Sequence, residues 1–74
     1  MRFFVNGEAH DTTYDEMNYA DVLLLALGKL PKSVHSVTYR KGGDSLKPEG
    51  ILAPGQSVKI KGGTIFYVSH TSNA

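Results

Sequence analysis

Three histidines, His10, His35 and His70, are the side chains best suited to metal binding or acid–base work, and they fall in three separate segments. No paired spacing joins them and no cysteine accompanies them, so the pattern is not that of a metal site and they read as surface residues. Ser69-His70 sets a hydroxyl beside an imidazole. A catalytic triad, however, is defined by geometry in a cleft, and a chain of 74 residues builds little of one. Gly42-Gly43-Asp44 and Gly62-Gly63 lack the lysine and following helix of a phosphate loop. An enzyme is therefore the least favoured class. What remains with chemical potential is the end of the sequence. Ser69, His70, Thr71, Ser72, Asn73 and Ala74 are small or polar with nothing to bury, and they finish in a carboxylate.

These residues must be positioned by what precedes them. Thr64–Val68 is entirely β-branched or aromatic, the composition of a strand in the middle of a sheet. Residues 2–6 predict a first strand with Phe3 and Val5 on one face and Arg2, Phe4 and Asn6 on the other. Asn6-Gly7 predicts a two-residue hairpin into a polar edge strand near Glu8–Thr13, with Tyr14 or Ala9 as its core contact. Asp15–Asn18 reads as a polar break. Asn18, with Asp21 three residues on, predicts the cap of a helix over Tyr19–Leu27, which Gly28 ends. Val22–Leu27 is apolar all round, so the helix is expected to turn Leu23, Ala26 and Leu27 inward, with Leu24 or Leu25 left for a partner unless it is heavily covered. A third strand is expected at Ser33–Lys41 with Val37 and Tyr39 on one face. Ser45–Gly55 is loop chemistry with a short element near Leu46 or Ile51, and a fourth strand fits Ser57–Lys61, with Val58 and Ile60 inward.

One domain of 1–68 with a flexible tail of 69–74 follows. The order β-β-α-β-β-β predicts an α+β fold, a mixed four- to five-stranded sheet with one main helix on one face and the last strand beside the first. That arrangement is a β-grasp. The net charge of +1 hides an asymmetry: residues 1–27 carry five acids and one base, and residues 28–74 carry seven bases and two acids. Arg40, Lys59 and Lys61 would rim an apolar patch formed by Phe4 with Tyr67 or Ile65, a candidate surface for an acidic partner protein. Nucleic acid is disfavoured, since a dedicated binder is more basic overall. No stretch approaches the ~18 apolar residues of a membrane span, and the opening lacks the apolar length of a secretory signal, so a cytoplasmic protein is expected.

Met1-Arg2-Phe3-Phe4-Val5 is similar to the opening of ubiquitin. Phe4-Val5-Asn6-Gly7, the leucine-rich helix, Tyr39-Arg40-Lys41-Gly42-Gly43, Val58-Lys59-Ile60 and Phe66 together resemble bacterial ubiquitin-like domains of the multiubiquitin type, which are encoded beside E1-like and E2-like enzymes. The resemblance implies a modifier that supplies no catalytic group and binds no cofactor of its own. Its C-terminal carboxylate would be activated by an E1-like adenylating enzyme using ATP. It would then pass to an E2-like enzyme and on to a target, in isopeptide or ester linkage. The family's company implies a role in defence against phage. The chain departs from the familiar pattern in not ending in Gly-Gly: cutting at Gly62-Gly63 would remove the central strand. The reactive end is then Ala74, or Asn73 after trimming by a processing peptidase. The alternative is a non-conjugated β-grasp module that docks through its sheet face; a sulfur carrier and an RNA-binding module rank below it.

Overall fold

The structure is a computed structural model and describes residues 1–70. Strand β1 spans Arg2–Val5 and β2 spans Glu8–Asp11. They join through Asn6 and Gly7, whose φ angles of 50° and 83° are those a tight hairpin requires at both turn positions. Helix α1, Tyr19–Leu27, starts where Asn18 Oδ1 accepts the Asp21 amide at 2.8 Å and closes where the Gly28 amide donates to the Leu24 carbonyl. The remaining strands are β3 (Glu16–Asn18), β4 (His35–Arg40), β5 (Gly50–Ile51), β6 (Ser57–Lys59) and β7 (Ile65–His70).

The main sheet has the order β2-β1-β7-β4-β5. β7 is parallel to β1 and antiparallel to β4, so the expected adjacency of first and last strands holds and β7 is central. A parallel pair of neighbours needs a crossover, and the intervening chain with α1 supplies it. The helix lies on one face of this sheet. Val22 and Leu23 point into a core built with Phe3, Val5, Val37 and Phe66, which Tyr39, Leu52, Ile60 and Met17 extend. This is the ubiquitin-like β-grasp.

Several expectations need correction. The polar break at Asp15–Asn18 contains β3, which pairs with β6 in a separate two-stranded sheet, so the expected fourth strand does not join the main one. Met17 anchors this small sheet by burying its side chain. Leu27 is exposed and Val22 takes the inward place. Tyr14 and Ala9 are exposed, and His10 is the residue of β2 that meets the core, its ring stacked on Phe3 at 5.6 Å between centroids. Nor are all three histidines on the surface, because His35 is buried.

Thr64 is fully buried just before β7. Its hydroxyl lies 2.7 Å from the Lys41 carbonyl and 3.0 Å from the Lys61 carbonyl, and it accepts the Lys61 amide at 2.9 Å. These contacts tie the Gly62-Gly63 turn to the end of β4. Thr64→Val keeps the shape and strands those backbone groups, so a loss of about 1–3 kcal/mol is expected in urea unfolding.

Candidate functional site

The face of the sheet opposite the helix is built by alternation. In β1, Phe3 and Val5 go to the core, which sends Arg2 and Phe4 outward. In β7, Phe66 goes inward, which sends Ile65, Tyr67 and Ser69 outward. In β4, His35, Val37 and Tyr39 are buried and Ser36, Thr38 and Arg40 face out. Register then aligns these residues across strands. Ala9, Phe4, Ile65 and Arg40 form one row, through the pairs Phe4 with Ala9, Phe4 with Ile65, and Arg40 with Ile65. Tyr67, Thr38 and Ile51 form the next. Neighbouring residues in such a ladder stand about 4.5–5.5 Å apart, so each row is a continuous surface.

Tyr67 is 48% exposed and Ile51 73% exposed, while Phe4 and Ile65 are half-buried. The patch is therefore apolar at its centre and accessible at its margins. Arg40 and Lys61 meet at one end of it, around a shallow depression they share with Lys41, Pro48 and Glu49. Lys59 is not part of this rim. It sits on β6 opposite Glu16 and beside a different depression that Asp44 and Lys47 also line. Ile51 is the residue that sequence reasoning missed here. It falls in a stretch dense in proline and glycine, where no alternation assigns a face.

The tail begins later than composition suggests. Ser69 pairs with Ser36 and His70 with His35, so the ladder between β7 and β4 continues two residues beyond Val68. The His35 and His70 rings meet edge to face at 4.8 Å. His35 Nδ1 lies 3.2 Å from the Ser33 carbonyl and His70 Nε2 lies 3.3 Å from the Ser33 hydroxyl. The tail candidates Thr71, Ser72, Asn73 and Ala74 lie outside the described residues. On the other side of β7, Asn6 brackets Val68: its Oδ1 accepts the Val68 amide at 2.8 Å and its Nδ2 donates to the Val68 carbonyl at 3.3 Å. β7 is thus fixed on both sides as far as Val68 and, among the described residues, by β4 alone at Ser69 and His70.

Among the described residues no group of three or more histidine, aspartate or glutamate side chains is placed to hold a metal ion, and no helix is long and apolar enough to cross a membrane. Compared with known proteins, the chain matches the family model described as Multiubiquitin over residues 1–72. No curated protein and no solved structure matches.

Proposed function

The chain belongs to the Multiubiquitin family, and from that membership we propose that it is a ubiquitin-like protein modifier. In this reading its C-terminal carboxylate attacks the α-phosphate of ATP in an E1-like enzyme, forming an acyl-adenylate and releasing pyrophosphate. An enzyme thiolate then displaces AMP, and an E2-like enzyme passes the acyl group to an amine or hydroxyl of a target. A peptidase that removes Ala74 would present Asn73 instead. The modifier contributes no catalytic side chain and works in the cytoplasm. It contributes an electrophile and a recognition surface, the latter being the Phe4, Ile65, Tyr67 and Arg40 face.

The observation that carries this reading is the placement of β7. It is the central strand, hydrogen-bonded on both sides, and it is also the strand that leads to the last residues of the sequence. A rigid strand of this kind delivers the residues after His70 at a fixed point relative to the sheet face. An enzyme that grips the face then finds the carboxylate at a defined distance.

The test is to mix the chain ending at Ala74, and separately the chain ending at Asn73, with a cognate E1-like enzyme, its E2-like partner and ATP. Intact mass should report a covalent adduct with one of the two forms. An absence of adduct with both refutes the proposal. The apolar patch of Phe4, Ile65 and Tyr67 on β1 and β7, with Ile51 of β5 beyond Thr38, favours a second reading, a module that docks through this face without conjugation. It predicts affinity for the same enzymes and no change in mass.

A further inference from the structure

A groove of about 360 Å³ lies between α1 and the β1–β2 hairpin, on the other side of the sheet from the face just described. Phe3 and Met17 form its floor, and Tyr14, Leu24 and Leu25 its walls. Those three wall residues are 72%, 42% and 38% exposed, an apolar concentration that a solvated surface does not need. β2 is one edge of the main sheet, β5 being the other. Because a two-residue turn closes on the Val5 and Glu8 pair, that pair and the Phe3 and His10 pair exchange hydrogen bonds. Ala9 and Asp11 therefore turn their amides and carbonyls outward, toward an incoming strand. Such a strand would send alternate side chains over the groove.

Charge decides what kind of strand fits. Residues 1–27 carry five acids against one base, and that base, Arg2, is spent on Asp11 at 3.5 Å. Asp21 lines the groove, and Glu8, outside the lining, shares the inner face of β2 with His10, which does line it. His10 Nε2 is buried without a hydrogen-bond partner, with Glu8 Oε1 at 3.6 Å. We infer that this groove docks an extended, basic segment of a partner protein, whose aliphatic residues at alternate positions enter between β2 and α1 and whose lysines or arginines face Glu8 and Asp21. The inference stands apart from conjugation, since it uses neither the tail nor the outer sheet face.

The probe is the peptide acetyl-Lys-Lys-Val-Ile-Val-Leu-Lys-Lys-amide, titrated into the ¹⁵N-labelled chain and followed by amide chemical shifts. Saturating shifts are expected below about 1 mM, centred on Ala9, His10, Asp11, Leu24 and Leu25. The same peptide with glutamates in place of its lysines should bind at least ~10-fold more weakly, as should the lysine peptide to Leu24→Lys or Tyr14→Lys. Both substitutions are at exposed positions, so a native spectrum is expected from at least one of them. Four results would overturn the inference: no saturable shift below about 1 mM, shifts centred on Phe4 and Tyr67, equal binding of the glutamate peptide, or concentration-dependent groove shifts without peptide, which would make a second copy the occupant.

Discussion

Phe66→Ala is expected to remove a large share of the chain's stability, from roughly a quarter to all of it. Phe66 is the second residue of β7 and is fully buried. Its ring meets Phe3 edge to face at 6.1 Å and lies 6.5 Å from Tyr39, so it joins the three central strands β1, β7 and β4 in one cluster. Removing a buried phenylalanine costs about 3–5 kcal/mol, because the cavity adds to the lost transfer energy. At ~0.05–0.15 kcal/mol per residue, a chain of 74 residues has roughly 4–11 kcal/mol in total. No disulfide can compensate, since the chain has no cysteine. Circular dichroism against urea should show the transition midpoint moved well toward zero denaturant. Phe66→Leu, which refills most of the volume, should restore a cooperative transition. A cooperative wild-type-like midpoint for Phe66→Ala would mean that β7 is not the organising strand.

What could be read from the sequence is what short-range chemistry determines. The helix bounds followed from Asn18, Asp21 and Gly28, because a cap is made by residues three apart. The central place of β7 followed from a run of five β-branched and aromatic residues, although only Thr64 and Phe66 of that run are buried and Tyr67 is exposed on the outer face. The failures share a cause as well. Val22–Leu27 is apolar all round, so periodicity carries no phase, and nothing local distinguishes Val22 as buried from Leu27 as exposed. β3 has three residues, too few for an alternation, and it exists because it pairs with β6, a strand that the alternation at Ser57–Lys61 predicts without naming its partner. His10 meets the core through ring stacking, and hydropathy gives a histidine no inward sign. Ser69 and His70 look like a tail because they are polar, yet their backbones complete a ladder whose other half is 33 and 35 residues earlier, at Ser36 and His35. Lys59 and Lys61 are two apart and looked like one basic face. The chain leaves β6 after Lys59 to bury Ile60, and the two lysines end in different depressions.

A chain ending at His70 is expected to keep its fold and its docking through the sheet face and to lose covalent transfer completely. The fold should persist because the sheet and the core are complete among the residues up to His70, the last described pair of the ladder being His35 with His70. Reach explains the loss. Six residues from Ser69 would span up to ~20 Å at ~3.3–3.6 Å each, but with Ser69 and His70 held in the sheet only four remain, or roughly 13–14 Å. Removing those four would hold the terminal carboxylate against β4, beside the edge-to-face His35 ring, where an adenylating site could not enclose it. The truncated chain should show a thermal midpoint within a few degrees of the full chain, and enzyme affinity by calorimetry within about threefold. Intact mass after incubation with the E1-like and E2-like enzymes and ATP should show no adduct. Persistent transfer would refute the argument from reach, since it would show that the acyl group is not carried by residues 71–74. Loss of affinity together with transfer would assign recognition to the tail and not to Phe4, Ile65 and Tyr67. Unchanged affinity with no adduct from either the truncated or the full chain would leave docking through the sheet face as the function.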